Sequence, residues 1–278
     1  MRVHSIKGGG GLKLHVTDQG PENAPALVLI HGWAQSHISW QSLAPLAKTL
    51  RLVAFDLRGH GASDAPEDAS AYTDTRLWAE DIAAIIKTLN LTAPNLVGWS
   101  YGSRVIAAYL DRFGDAGIAG VVLVSSLAAI GKAREDWMAA ADSPGMNPDL
   151  YADDNLIRDA ATRAFVENST FQPLASAEFT ESLVAASLPV SPLVRRALFH
   201  DSIDFRPIFA TMNKPGLVIH GVEDKVVLPA TGIALSESLK SGTLHLYEYT
   251  GHAPFLESPD RFNRDLADFC NQQIGAAA

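Results

Sequence analysis

The chain has 278 residues, 47% of them hydrophobic and 19% charged, and its formal net charge is −9. This composition is typical of a globular protein and argues against intrinsic disorder. Because the balance is acidic and no stripe of Lys and Arg is present, binding to nucleic acid by neutralising phosphates is excluded.

The first predicted elements are two strands, 3–7 and 12–17, which alternate apolar and polar residues around the glycines at 8–11. This pattern predicts a hairpin with a glycine turn. Continuous apolar runs then predict strands buried on both faces. They lie at 26–30, 52–55, 95–98, 120–124, 216–220 and 244–247. Helical patterns fall between and after them, at 40–50, 78–89, 101–112, 230–240 and 260–273.

Strands that alternate with helices predict parallel pairing through right-handed crossovers. The predicted fold is therefore α/β, a doubly wound and mostly parallel sheet with the hairpin at its edge. Residues 128–213 break the alternation, because they show helical patches and no clear strand. A structureless loop of this length is implausible, so we predict a helical cap at 128–213 inserted into a core of 1–127 and 214–278.

The residues Gly-Trp-Ser-Tyr-Gly at 98–102 lie between a predicted buried strand and a predicted helix. A Gly-x-Ser-x-Gly sequence in this context predicts a sharp turn that exposes the serine hydroxyl in a strained backbone conformation. The flanking glycines remove side chains that would clash there. Ser100 is therefore the candidate nucleophile, at a helix N-terminus whose free N–H groups favour an oxyanion.

A serine nucleophile needs a base that is itself oriented by an acid, and in this arrangement the chain order is serine, acid, histidine. Asp224 follows the fifth buried strand and His252 follows the sixth, where strand ends deliver active-site loops. We predict Asp224 as the acid and His252 as the base, with Glu223 left open as an alternative acid.

The loop after the first buried strand reads His31-Gly32-Trp33. Gly32 permits close approach of the backbone, so the N–H groups of Trp33 and Tyr101 are predicted to form an oxyanion hole. His31 is interpreted as a structural residue that holds this loop.

Four blocks in this order resemble the α/β-hydrolase superfamily: residues 31–33, the Asp-Leu-Arg-Gly-His-Gly-Ala-Ser block at 56–63, the turn at 98–102, and Gly251-His252. The chain is most similar to small bacterial esterases and cofactor-free haloperoxidases, or perhydrolases. The resemblance covers the chain outside the predicted cap. It implies a structural role for residues 56–63.

The chain departs from the pattern of that group at three positions. Tyr101 stands where the group usually carries Met, and Ser103 where it carries Gly. In the group, perhydrolase activity is associated with a proline directly after the tryptophan of the loop at 31–33, and the present chain has Ala34 at that position. The resemblance therefore favours ester hydrolysis and leaves perhydrolysis as a side activity.

The predicted function is hydrolysis of a small carboxylic ester or lactone through an acyl-serine intermediate. Two alternatives stay open. Residues 31–37 also resemble the loop of cofactor-free dioxygenases that act on quinolone-like heteroaromatic substrates. Some proteins of the hydrolase fold are ligand receptors without turnover.

No histidine or cysteine pair has metal-ligand spacing and no dinucleotide fingerprint is present, so no metal and no cofactor are predicted. His37 and Trp137 are candidate residues of the substrate pocket. The single cysteine, Cys270, and the lack of a signal-like apolar start favour a cytoplasmic location. The expected partner is a small-molecule substrate, with no membrane partner, and a homo-oligomer is left open.

Overall fold

The computed structural model describes the backbone of residues 1–277 and the side chains of residues 1–273. The strands are Arg2–Lys7 (β1), Lys13–Gln19 (β2), Ala26–Ile30 (β3), Arg51–Phe55 (β4), Asn95–Trp99 (β5), Gly120–Val124 (β6), Ala129–Ile130 (β7), Ile203–Asp204 (β8), Gly216–Gly221 (β9) and Gly242–Tyr247 (β10). The α-helices are Ser70–Thr73 (α1), Thr75–Thr88 (α2), Gly102–Phe113 (α3), Asn155–Asn168 (α4), Ala177–Ser187 (α5), Pro192–Ala197 (α6), Arg206–Phe209 (α7), Pro229–Ser238 (α8), Pro254–Glu257 (α9) and Pro259–Ala277 (α10). Segments of 3-10 helix lie at Gly9–Gly11, His37–Lys48, Gly131–Ala133, Pro144–Met146 and Pro148–Tyr151.

Within the described residues, eight strands form one sheet in the order β1-β2-β4-β3-β5-β6-β9-β10. The six neighbouring strands β4, β3, β5, β6, β9 and β10 of this sheet pair in parallel. β1 pairs antiparallel with β2, and β2 pairs antiparallel with β4. The mostly parallel sheet with an antiparallel hairpin at its edge is therefore confirmed.

Helices cover both faces of the sheet, which explains the continuous apolar runs. Val28 and Ile30 of β3 pack into one hydrophobic core with residues of α2 and α3. Leu27 and Leu29 point the other way, into a second core with residues of α10. Every residue of β3 is buried, as expected for a strand that meets protein on both sides. None of the described helices is both long and apolar enough to cross a bilayer.

The parallel strands end in register, so the loops that follow them emerge at one edge of the sheet. Ile30 of β3 pairs with Gly98 of β5, and Trp99 pairs with Val124 of β6. Val124 pairs in turn with Ile219 of β9. The loops that begin at residues 31, 100, 125 and 222 therefore start side by side, at the carboxyl edge where ligands bind in this class of sheet.

The stretch predicted as helical at 40–50 is helical in the structure, but it begins and ends earlier in the chain. The chain forms a 3-10 helix over His37–Lys48. Its buried residues Trp40, Leu43 and Leu46 are three apart, which matches three residues per turn rather than 3.6. Pro45 also lacks the N–H that a continuous α-helix would use at that position.

Residues 128–213, hereafter the inserted segment, connect β6 to β9 and contain α4 to α7. The sequence showed no strand in this range, but β7 and β8 pair antiparallel at its two ends, with Ala129 opposite Asp204 and Ile130 opposite Ile203. Two-residue strands are too short to produce an alternating pattern. The division into core and cap stays a prediction, and residue 278 of the predicted core lies outside the described residues.

Asp18 of β2 fastens the edge hairpin to the parallel part of the sheet. Its carboxylate accepts hydrogen bonds from Arg2 of β1 at 2.8 Å and from Arg51 of β4 at 2.9 Å. Burial by itself would raise the pKa of Asp18, but the hydrogen bonds and charges of the two arginines outweigh it and hold the pKa at about 2. The carboxylate therefore stays ionised between two cations.

We predict that Asp18→Asn lowers the free energy of unfolding by about 3 kcal/mol, because it leaves the Arg51 guanidinium buried without its counter-charge. The wild-type advantage should be complete above the unfolded pKa of 3.8 and should fade as the pH falls toward 2. Urea unfolding at several pH values measures both effects. The control is Asp153→Asn, whose partner Arg196 is on the surface, and little change is expected there. Equal effects of the two substitutions would contradict the prediction.

Candidate active site

Ser100 lies in the turn between β5 and α3, hereafter the serine turn (residues 98–102). Its φ of +52° is in the left-handed region, which residues with a side chain rarely adopt. A Cβ atom at Gly98 would lie 2.8 Å from the Gly102 carbonyl carbon, and one at Gly102 would lie 2.5 Å from the Ile30 carbonyl oxygen. Backbone atoms therefore exclude a side chain at both glycine positions.

Ser103 fixes the backbone of the serine turn. Its hydroxyl donates to the Ser100 carbonyl oxygen at 2.7 Å, and it also lies 3.0 Å from the Leu127 carbonyl oxygen. The Ser100 N–H donates to the Val124 carbonyl at 2.8 Å. The serine at position 103, where the group that the sequence resembles usually carries Gly, thus ties the serine turn to the loop after β6.

Tyr101 ties the same turn to the inserted segment. Its side chain is fully buried, and its hydroxyl donates to the Leu198 carbonyl at 2.7 Å. The Tyr101 ring packs edge-on against Phe199, with ring centroids 5.4 Å apart. Burial raises the pKa of the Tyr101 hydroxyl, so it remains a neutral hydrogen-bond donor.

The loop after β3 runs beside the serine turn. A Cβ atom at Gly32 would lie 3.1 Å from the Trp99 ring and 3.4 Å from Ser100 Cβ, so the absence of a side chain permits this approach. Within the described residues, no acceptor is in hydrogen-bond reach of the backbone N–H of Trp33 or of Tyr101. The fold therefore uses neither N–H group in a hydrogen bond of its own within this part of the chain.

His31 connects the loop after β3 to the loop after β4. The side chain is completely buried, its Nε2 accepts a hydrogen bond from the Leu57 N–H at 3.0 Å, and its Nδ1 lies 2.7 Å from the Gly32 carbonyl oxygen. Burial lowers the pKa of His31 to about 4, which keeps the imidazole neutral. Both ring nitrogens are engaged, which supports the structural interpretation.

His252 and Asp224 form a buried hydrogen-bonded pair. His252 Nδ1 donates to Asp224 Oδ2 at 2.8 Å, and the two side chains are 2% and 0% exposed. The other carboxylate oxygen accepts from the N–H groups of Val226 and Val227 at 2.8 and 3.0 Å. Because a carboxylate oxygen can only accept, the contact places a proton on Nδ1 of His252 and leaves Nε2 as the nitrogen that can accept one.

His220, at the end of β9, is a third member of this group that the sequence analysis missed. Its Nε2 donates to the Val227 carbonyl at 2.9 Å and lies 3.2 Å from Asp224 Oδ2. Burial alone would raise the pKa of Asp224, but the charge of His252 and the hydrogen bonds of His220 and His252 outweigh it and hold the pKa well below its usual range. The available signal was a histidine four residues before the acid, at a strand end.

Glu223, the alternative acid, is engaged elsewhere. Its carboxylate accepts a hydrogen bond from the Thr250 N–H at 2.9 Å. The structure brings Asp224 and not Glu223 into contact with the His252 ring. Glu223 instead links the loop after β9 to the loop that carries His252.

The backbone of His252 is held from two sides. Trp99 Nε1 donates to the His252 carbonyl at 2.8 Å, which connects it to the end of β5. The His252 N–H donates to the Ser169 carbonyl at 2.7 Å, which connects it to the inserted segment. Glu257 accepts from the flanking N–H groups of Gly251 and Ala253. No sequence pattern pointed to Ser169, because it lies in the inserted segment, far from His252 in the chain.

Ser100 opens into a cavity of about 290 Å³, hereafter the Ser100 cavity. Trp33 lines it from the core, and Tyr151, Phe165 and Phe199 line it from the inserted segment. Phe165 packs edge-on against Trp33 at 5.6 Å and also lines a second cavity of about 350 Å³, bounded by Trp99 and Ala253. The inserted segment therefore forms much of the wall around the serine.

Neither predicted pocket residue lines the Ser100 cavity. His37 donates from Nδ1 to Asp56 Oδ1 at 2.8 Å and borders a separate depression beside Trp40. Trp137 packs under the Arg206 guanidinium, 5.4 Å from the ring centroid. Their side chains contact Asp56 and Arg206, respectively, and not the Ser100 cavity.

His15, His37 and Asp56 present ligand atoms within 4.8 Å of one another. Their proximity could not be read from sequence spacing. The Asp56 carboxylate is already occupied, because it accepts from the N–H and Nδ1 of His37 and from the Ala62 N–H. This group therefore fits a clamp between the loops after β3 and β4 better than a metal site, and the absence of a metal stays a prediction.

Comparison with known proteins matches residues 25–259 to the model of a family described as the alpha/beta hydrolase fold. The chain belongs to this family. An esterase from Rhodococcus sp. ECU1013 is 34% identical with a TM-score of 0.90, over 98% of this chain and 99% of that one. A putative aryl esterase from Burkholderia cenocepacia is 33% identical with a TM-score of 0.91, over 99% and 100%. A bifunctional esterase/perhydrolase from Acinetobacter calcoaceticus is 28% identical over 93% of this chain and 96% of its own.

These comparisons confirm the resemblance to small bacterial esterases and haloperoxidases. The protein is an enzyme of the α/β-hydrolase class, and the three relatives described above are named as esterases. The carbonyl substrate, the acyl-serine route and the roles of single residues are matters of proposal.

We predict that Gly102→Ala lowers the free energy of unfolding by about 1–3 kcal/mol, because the new methyl group meets the Ile30 carbonyl oxygen at 2.5 Å. Gly145→Ala is the matched control, since a Cβ there finds no atom closer than 3.5 Å. Chemical denaturation of both variants measures the difference. Equal stability of the two variants would refute the claim that close backbone packing fixes the serine turn.

Proposed function

We propose that the protein hydrolyses small carboxylic esters or lactones through an acyl-serine intermediate. The observation that carries the proposal is the buried His252–Asp224 pair at 2.8 Å, at the same sheet edge as Ser100 with its φ of +52°. Ser100 is the proposed nucleophile, His252 the base and Asp224 the acid that orients it. The names of the esterase relatives support ester hydrolysis as the reaction.

The proposed first half-reaction forms the acyl-serine. Ser100 Oγ attacks the carbonyl carbon of the substrate while His252 Nε2 takes the hydroxyl proton. The carbonyl oxygen becomes an oxyanion, to which the N–H groups of Trp33 and Tyr101 donate; one such donor typically contributes about 3 kcal/mol to transition-state stabilisation. The bond from carbon to the alcohol oxygen then breaks, and His252 gives its proton to that oxygen.

The second half-reaction releases the acid. His252 takes a proton from water, whose oxygen attacks the acyl-serine carbonyl and forms a second oxyanion intermediate. Collapse breaks the bond to Ser100 Oγ, which receives the proton from His252, and the carboxylic acid leaves. Asp224 keeps its negative charge throughout, because its lowered pKa prevents protonation, and it stabilises the imidazolium formed in each step.

We further propose that the inserted segment acts as a cap that sets substrate size. It contributes Tyr151, Phe165 and Phe199 to a cavity of about 290 Å³, which matches a small ligand and not a polymer. Tyr101 of the serine turn donates to the Leu198 carbonyl of this segment, and the His252 N–H donates to its Ser169 carbonyl. The segment is thereby tied to the residues around which the reaction is proposed.

We predict that Ser100→Ala lowers kcat for p-nitrophenyl esters by about 10⁴-fold or more, because the acyl-serine can no longer form. A panel of aryl esters and lactones of increasing chain length, assayed with wild type and variant, measures the loss. Ser238→Ala serves as a control, since its hydroxyl binds only the Leu235 carbonyl within α8 and does not line the Ser100 cavity, so activity close to wild type is expected. Undiminished activity of Ser100→Ala refutes the proposal, as does oxygen uptake with a hydroxyquinolone together with no ester turnover by wild type.

We predict that Asp224→Asn lowers kcat by about 10⁴-fold, because an amide in this position favours the wrong imidazole tautomer. Glu223→Gln should retain activity close to wild type, since Glu223 contacts the Thr250 N–H and not the imidazole. The two variants differ from wild type by the same loss of one carboxylate charge. Steady-state kinetics of both variants measure kcat, and thermal unfolding verifies that each variant is folded. A larger loss of kcat in Glu223→Gln than in Asp224→Asn would reverse the assignment of the acid.

A further inference from the structure

Arg134 is the one charged side chain among the described residues that line the Ser100 cavity. It is half-buried, in the inserted segment just after the 3-10 turn that follows β7. The chain as a whole carries a net charge of −9, so a cation in this place is opposite in sign to the average surface. The charge faces the same space as the proposed nucleophile.

The Arg134 guanidinium makes few polar contacts with the described part of the protein. Among the described side chains, no carboxylate lies within ion-pair distance of it. Its only protein acceptor there is the thioether of Met146, at 2.8 Å from Nη1. A guanidinium has five N–H donors and a thioether is a weak acceptor, so most of its donor capacity is left for a ligand or for water. The neighbouring Glu135 is engaged with Arg206.

Arg195, which lies near the same cavity, shows the contrasting arrangement. It is fully buried and stacks over Trp33 at 5.2 Å, and its donors meet backbone carbonyls and the Thr162 hydroxyl. Its N–H groups are therefore already used in hydrogen bonds within the protein. Arg134 is therefore the arginine whose chemistry is available inside the cavity.

We propose that Arg134 selects substrates that carry a carboxylate remote from the reacting carbonyl, such as half-esters of aliphatic dicarboxylic acids. An arginine binds a carboxylate through two parallel N–H···O hydrogen bonds, which gives both energy and direction. The rest of the lining is mostly apolar, with Ile130, Phe165 and Val226 among it, and suits the methylene chain between the two carbonyl groups. This inference rests on the proposed ester hydrolysis at Ser100.

The test compares monomethyl and dimethyl esters of the same diacids, from glutarate to suberate. The two esters of one diacid differ by a charge and have nearly the same size. Wild type should favour the monoester at one chain length. Arg134→Gln should lower kcat/KM for that monoester by about 10- to 100-fold and leave the diester unchanged, because hydrogen bonds to a charged group are lost.

Two further variants separate Arg134 from its surroundings. Arg134→Lys should restore part of the preference, since an ammonium keeps the charge without the paired hydrogen bonds. Lys132→Gln removes the same charge from an exposed residue two positions away that does not line the cavity, and should leave the preference intact. An equal fall in both Gln variants would mean that general charge and not Arg134 selects the substrate, and would overturn the proposal.

Binding measurements keep this inference distinct from the proposed reaction. Calorimetric titration of Ser100→Ala with the preferred monoester should show binding that is lost in Ser100→Ala/Arg134→Gln. If wild type hydrolyses neither ester but this binding difference is present, the reaction is wrong and the carboxylate site stands. If Ser100-dependent hydrolysis of both esters is equal, or the monoester preference survives Arg134→Gln, the carboxylate site is wrong and the reaction stands.

Discussion

The reversal of the chain at Ser100 is the constraint around which the rest of this structure is arranged. The backbone passes from β5 into α3 within two residues, and it does so with Ser100 at a φ of +52°. Such a conformation persists only where surrounding contacts over-determine it. Here they come from β6 through the Ser100 N–H, from Ser103 through the Ser100 carbonyl, and from the close contact of Gly102 with β3.

Much of the core followed from the sequence because its signals are local. A strand buried on both faces is a continuous apolar run whatever its neighbours are, so 26–30 and 120–124 were predicted with their observed bounds. The serine turn, too, is encoded by glycines adjacent to Ser100. The order of Ser100, Asp224 and His252 followed from the order of strand ends, and the register of the sheet brings those ends to one edge.

Other features could not be read locally. His37 was predicted as a pocket residue from its place in the loop at 31–37, and Trp137 as an aromatic residue of the predicted cap. Their contacts are instead with partners far away in sequence, Asp56 and Arg206 respectively. Ser169 and Arg134 have no motif, since their significance comes from the path of the inserted segment over the sheet. The sequence also left the type of the helical stretch at 40–50 open, because spacings of three and of 3.6 residues differ little over ten residues, and the structure shows a 3-10 helix at His37–Lys48.

The hydrogen bond from His252 N–H to the Ser169 carbonyl joins the proposed base to the segment that shapes the cavity. Selection for a new substrate acts first on such a segment, because its loops vary most freely. In this protein a change that moves Ser169 also disturbs the support of His252. Exchange of whole inserted segments between relatives would thus change substrate specificity and turnover rate together. Substitutions on the cavity wall, away from Ser169, would allow the two properties to evolve separately.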